Sequence, residues 1–138
     1  MTQRILIVSD DELSQSLRQA LEAKGFGVVL TQEAADGYSQ LIGSQFDLVI
    51  LDLARAITGV GLIKRIRSNA SLSRLLVLTI AEWGTGQATI ALSQGADGFE
   101  PKQIDSTGLL AAVERLLRPK MVMTAKANTG NLETDADE

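Results

Sequence analysis

Short, wholly apolar runs alternate along this chain with longer stretches in which apolar residues recur at helical spacing, the pattern of a parallel sheet covered on both faces. Arg4 to Val8 is the first run. The segment after it places Leu13, Leu17 and Leu21 four residues apart on one helical face before Gly25 ends it. Val28-Val29-Leu30 predicts a short second strand, Ala34 to Ile42 a weaker helix, and Asp47 to Leu51 a third strand entered past Gly43. A third helix over Val60 to Arg67 turns Leu62, Ile63 and Ile66 inward, and Leu75 to Ile80 forms a fourth strand. Thr85 to Gln94 is the predicted fourth helix, and Gly98-Phe99-Glu100 a brief fifth strand. The last helix begins near Asp105 or Ser106, buries Leu109, Leu110, Val113, Leu116 and Leu117, and is expected to stop before Pro119.

The resulting fold class is α/β: a doubly wound, five-stranded parallel sheet of order 2-1-3-4-5. Beyond Pro119 the composition shifts to Thr, Ala, Asn, Gly and acids, without apolar periodicity after Met121-Val122-Met123. We therefore expect one domain over residues 1–119 and a flexible acidic C-terminal tail over 120–138. No internal repeat is found.

Two of the apolar runs end in aspartate. Ile5-Leu6-Ile7-Val8 leads through Ser9 to Asp10 and Asp11, and Leu48-Val49-Ile50-Leu51 leads to Asp52. In a 2-1-3-4-5 sheet the first and third strands are neighbours at the topological switch point, so the three acids meet at one rim. Two like charges about 4 Å apart at an effective dielectric of about 20 repel by roughly 4 kcal/mol. Whole domains are stable by only about 5–15 kcal/mol, so the cluster needs relief: a protonated carboxyl, a nearby lysine or a bound cation. Hard oxygen ligands that keep some water suit Mg²⁺. Lys102, at the end of the fifth strand, is placed to reach the same rim.

Composition narrows the chemistry. The 138 residues, 45% of them hydrophobic, suffice for one core, and 13 basic against 17 acidic residues include no cluster resembling a nucleic-acid footprint. Direct binding to nucleic acid is not expected. Without cysteine or histidine there are no thiolate nucleophiles, imidazole metal ligands or histidine bases, leaving carboxylates, hydroxyls and amines. No apolar stretch approaches the roughly 20 residues that span a bilayer, and no secretory signal opens the chain, so a cytoplasmic, non-membrane setting is expected.

At these residues the chain resembles the receiver domain of two-component response regulators, from about Arg4 to Leu117. The resemblance is carried by Ile-Leu-Ile-Val-Ser-Asp-Asp-Glu, by Phe46-Asp47-Leu48-Val49-Ile50-Leu51-Asp52-Leu53, by Leu78-Thr79, and by Gly95-Ala96-Asp97-Gly98-Phe99 followed by Lys102. It implies a flavodoxin-like topology and a phosphoryl group accepted by Asp52 from a sensor histidine kinase or phosphotransfer protein. It further implies Mg²⁺ held by Asp10, Asp52 and the main-chain carbonyl of Ala54, with Asp11 as a further ligand. Lys102 would hold the phosphoryl oxygens, and a hydroxyl ending the fourth strand would follow them inward. Such a domain is a switch rather than a turnover enzyme. Its downstream protein, or a second copy, would bind through the face of the fourth helix, fifth strand and fifth helix.

The departures matter as well. Ser9 stands where the family usually has the first of two acids, which predicts weaker Mg²⁺ binding. Arg55-Ala56 replaces the common Met-Pro after the nucleophile, Gln103 replaces a proline usually joined by a cis bond, and Phe99 replaces a frequent tyrosine. A cis bond before a non-proline costs about 2.5–4 kcal/mol, so either the loop is trans and Lys102 is aimed differently, or strain is stored. The switch hydroxyl is ambiguous: counting from Asp52 selects Thr79, counting back from Gly95 selects Ile80, and in the second case the relay is broken. These features define an alternative, a pseudo-receiver that acts as an interaction module without phosphorylation. A haloacid dehalogenase-like phosphatase is disfavoured because Ala54 stands where a second aspartate is needed, and a flavin site because acids occupy the phosphate-binding turn.

Overall fold

The computed structural model describes residues 2–129 apart from Asp10, Asp11, Ala54, Arg55, Trp83, Thr85 and Gln103; for residues 12–13, 56–60 and 119–129 it describes the backbone alone. Five strands, β1 (Arg4–Val8), β2 (Gly27–Thr31), β3 (Leu48–Asp52), β4 (Leu76–Ala81) and β5 (Gly98–Pro101), form one parallel sheet in the order β2-β1-β3-β4-β5. The helices between and after them are α1 (Glu12–Ala23), α2 (Ala34–Gly43), α3 (Ala56–Ser68), α4 (Gln87–Ser93) and α5 (Ser106–Thr129), with a short 3-10 helix at Ala70–Leu72 after α3.

Alternation along the strands divides the core in two. Leu6, Val8, Val49, Leu51, Val77 and Ala81 pack with Leu41 of α2, Leu62, Ile63 and Ile66 of α3 and Ala91 of α4. On the opposite face, Ile5, Ile7, Leu48, Ile50, Leu78 and Ile80 pack with Leu17 and Leu21 of α1 and with Leu109, Ala112, Val113 and Leu117 of α5. Both faces of the three central strands are thus dry. That is why their sequences read as unbroken apolar runs.

Two aspartates set the register of this sheet from its amino-terminal edge. The Asp47 N–H donates to the Arg4 carbonyl (2.8 Å), and its carboxylate accepts the Arg4 N–H (2.9 Å). Asp97 repeats the device on β4: its N–H donates to the Val77 carbonyl and its Oδ2 accepts the Val77 N–H, both at 2.8 Å. Each sits one residue before a strand, where a carboxylate serves in place of the next ladder carbonyl. Arg67 of α3 completes the second device, reaching Asp97 Oδ2 (2.8 Å), the Gly95 carbonyl (2.9 Å) and the Leu75 carbonyl (2.7 Å).

Helix ends depart from the sequence reading. The third helix, expected from Val60, starts at Ala56 and so takes in Gly59 as well as Gly61. Interior glycines cost about 1 kcal/mol each against alanine, less than burial of Leu62, Ile63 and Ile66 returns. α4 starts at Gln87, directly after Gly86 (φ 78°), whose left-handed conformation, like that of Gly84 (φ 76°), a helix does not admit; the expected start, Thr85, lies outside the described residues. The last helix continues past Pro119 to Thr129. A proline there removes one backbone hydrogen bond, and the Lys-, Met- and Ala-containing sequence after it still favours helix. Residues 130–138 of the expected tail lie outside the described residues.

The Asp97 device is open to a direct check. Asp97→Ala leaves the Val77 N–H and the Arg67 guanidinium without their carboxylate, so urea unfolding is expected to show a loss of about 2–3 kcal/mol, with Asp97→Asn losing less.

Candidate functional site

Asp52 is the last residue of β3 and Lys102 follows the last residue of β5, so both lie at the carboxyl rim of the sheet. The Lys102 backbone N–H donates to the Ala81 carbonyl (2.9 Å), which anchors it on the end of β4, and its ammonium reaches back to Asp52 Oδ2 at 2.5 Å. The pair is secluded: the Asp52 side chain is 7% exposed and that of Lys102 18%. An ion pair this dry holds because each charge would be costly to desolvate without the other.

Ser9 supplies a second donor, and sequence reasoning missed it. Its backbone N–H bonds the Thr31 carbonyl (2.9 Å), continuing the β1–β2 ladder by one step, and its hydroxyl donates to the same Asp52 Oδ2 at 3.0 Å. The signal was present in the parity. Ser9 alternates with Ile5 and Ile7, as Asp52 does with Leu48 and Ile50, so both project to the α1 and α5 face, and β1 and β3 are neighbours there.

The same parity resolves the fourth strand. Thr79 is in register with Leu51 and Ile80 with Asp52. Thr79 is fully buried, and its hydroxyl donates to the Gly98 carbonyl of β5 at 2.9 Å, on the strand face that Val77 and Ala81 share. The side chain on the carboxylate's face is Ile80. The hydroxyl expected from Thr79 is therefore turned away from Asp52, because a one-residue step in a strand reverses the face. Phe99, in register with Thr79, packs against the α2–α3–α4 core.

Inward of Asp52 the site is closed. Ile7, Ser9, Ser14, Leu17, Ile50 and Ile80 leave about 10 Å³ beside the carboxylate, no more than one water needs. Asp10, Asp11 and Ala54, three of the four expected metal-binding positions, lie outside the described residues, as do Gln103 and Trp83, and no side chain is described for Ala56. The donors that the described residues bring to the rim, a carboxylate and a hydroxyl, are hard oxygens. They fit the class of ligand that Mg²⁺ takes, with Asp10 and Asp11 next in sequence to Ser9.

A five-stranded doubly wound domain with a lysine-paired aspartate at its switch point defines a class, the receiver-like signalling domains. The comparisons agree: residues 5–114 match the response regulator receiver domain, and the chain belongs to that family. It is 32% identical over 120 residues to the response regulator MprA of a Mycobacterium species (strain KMS), covering 86% of this chain and 52% of that protein. It is 30% identical over 142 residues to the phosphate regulon transcriptional regulatory protein PhoB of Rhizobium meliloti, covering 99% of this chain and 63% of that protein. The chain thus spans about half the length of the first of these relatives and under two thirds of the second. The chemotaxis response regulator CheY4 of Vibrio cholerae superimposes with a TM-score of 0.78 at 20% identity, over 85% of this chain and 100% of that one. Among the described residues no helix is long and apolar enough to cross a membrane.

The ion pair predicts an asymmetry in stability. Lys102→Ala strands a buried carboxylate and is expected to cost about 2–3 kcal/mol in urea unfolding, whereas adding Asp52→Asn to it recovers most of that loss.

Proposed function

We propose that this receiver domain is a phosphorylatable switch in two-component signal transduction, with Asp52 as phosphoacceptor. The observation that carries the reading is the largely buried Asp52–Lys102 pair at the carboxyl rim of the sheet. Phosphoryl transfer to a carboxylate asks little covalent chemistry of a protein; it needs an oriented nucleophile and compensation of the charge on the equatorial oxygens. Asp52 attacks phosphorus through a carboxylate oxygen, and the bond from phosphorus to the donor's leaving group breaks. Lys102 then exchanges its contact with the carboxylate for the phosphoryl oxygens. Asp10, Asp52 and the Ala54 main-chain carbonyl, with Asp11 as a further ligand, would hold Mg²⁺, which when bound would supply further charge neutralisation. The domain returns to its ground state by losing phosphate, so it acts as a switch and not as a turnover enzyme.

The donor is a sensor histidine kinase or a phosphotransfer protein, as membership of the family suggests, and the setting is the cytoplasm. The output surface is α4, β5 and α5, which would meet a downstream protein or a second copy rather than nucleic acid. α4 carries no charged residue from Gln87 to Ser93, and its Ile90 and Leu92 are 48% and 49% exposed. Residues 1–119 are read as the domain and residues 120–138 as an acidic C-terminal tail, whose stretch to Thr129 continues α5.

A second reading, a pseudo-receiver that docks partners without phosphorylation, is favoured by Ile80 standing on the carboxylate's face in place of a hydroxyl. One experiment separates them. Incubation with acetyl phosphate and Mg²⁺ is expected to add the mass of one phosphoryl group to the intact protein, and none to Asp52→Asn. An unlabelled wild type at saturating donor and metal selects the pseudo-receiver, and a label that persists in Asp52→Asn places the nucleophile elsewhere.

A further inference from the structure

We infer that Ser9 is a positioning residue that holds Asp52 ready in the absence of a divalent cation, so that Mg²⁺ enters this site with the phosphoryl group rather than before it. The consequence for signalling rests on Asp52 being the phosphoacceptor; the positioning role does not. Ser9 is anchored through its N–H to Thr31 on β2 (2.9 Å), and its hydroxyl donates to Asp52 Oδ2 (3.0 Å). Lys102, anchored through its N–H to Ala81 on β4 (2.9 Å), brings its ammonium to the same oxygen. Among the described residues the carboxylate is therefore gripped from both neighbouring strands, by a neutral donor on one side and a cationic donor on the other. Ile80 and Leu17 close its inner side.

An acid at position 9 would change the balance of this grip. It would place a second carboxylate against Asp52 on the same face of adjacent strands, beside Asp10 and Asp11 in sequence, and a cation would then be needed merely to keep the unphosphorylated site together. Serine removes that demand twice over, by deleting a charge and by donating a hydrogen bond to the charge that remains. Among the described residues the metal-free Asp52 carboxylate already has its donors, so free Mg²⁺ gains little at Asp52 until three phosphoryl oxygens add their own negative charge.

Thermal unfolding of the whole chain, with and without Mg²⁺ and with no phosphodonor present, tests this. Wild type is expected to gain little from Mg²⁺ alone. Ser9→Asp should melt lower without the metal and recover with it, its Mg²⁺ affinity raised on the order of tenfold as ligand charge is added. Ser9→Ala should melt lower with no gain in Mg²⁺ affinity, Ser9→Thr should restore the loss, and in an Asp52→Ala background Ser9→Ala should cost nothing more. A Ser9→Asp protein as stable as wild type without Mg²⁺, and no better at binding it, overturns the inference. So does a Ser9→Ala loss of equal size whether or not the Asp52 side chain is present, which remains readable if Ser9→Asp fails to fold. A chain that shows the expected melting pattern but takes no label from acetyl phosphate keeps the positioning role of Ser9 and overturns both the phosphoacceptor role and the order of Mg²⁺ entry.

Discussion

A carboxylate at the end of the middle strand of a dry sheet is the constraint around which this domain is arranged. Asp52 continues the strand that carries Leu48 and Ile50 on one face, so alternation turns its side chain toward α1 and α5 and into an apolar wall. Such a charge persists only with donors brought to it. The 2-1-3-4-5 order provides them, because it sets β1 on one side of β3 and β4 on the other, and the segments leaving β1 and β5 deliver Ser9 and Lys102 to one oxygen. The topology thus does electrostatic work: it lets residues 43 and 50 positions from Asp52 in sequence meet it.

The far end of the sheet makes the arrangement dependable. Asp47 and Asp97 tie the starts of β3 and β5 to their neighbours, and Arg67 fastens the second tie to α3. A slip of one residue in β4 would bring Thr79 onto the Asp52 face and remove Ile80 from it. At the amino-terminal edge the Leu76 N–H donates to the Asp47 carbonyl (3.4 Å), continuing the β3–β4 ladder whose register decides which side chain faces the carboxylate at the opposite edge. The motif Gly95-Ala96-Asp97-Gly98, read in sequence only as a family mark, fixes β5 against β4 and with it the strand from which Lys102 leaves the sheet.

The five strands, their order and the meeting of Asp52 with Lys102 were legible in the sequence, since runs buried on both faces and charges at strand ends leave a strong pattern. Helix boundaries were less so: Gly59 and Gly61 sit inside α3 because neighbouring leucine and isoleucine contacts outweigh propensity, and Gly84 and Gly86 delay α4 through their left-handed turns. The Thr79 and Ile80 question could not be decided by counting, because counts from either side of the β4–α4 loop differ by one and only strand pairing fixes the face. The Ser9 bond was hidden for a related reason: it depends on two strands 43 residues apart sharing a face. Read in sequence as the loss of an acid, Ser9 is in the structure a donor.

Membership of the receiver family sets the fold and the class of signalling, while the residues around Asp52 set how this chain uses them. With a hydroxyl at position 9 and an aliphatic residue at position 80, the site keeps the aspartate and its lysine and changes the side chains that surround them. The most direct measurement is a crystal structure of the chain grown with Mg²⁺ and beryllofluoride. The account predicts a tetrahedral fluoride group bonded to the Asp52 carboxylate, with the Lys102 ammonium moved onto a fluorine and Ile80 still on the same face. An unmodified Asp52 with Lys102 and Ser9 both still on Oδ2, under saturating ligand, would contradict it.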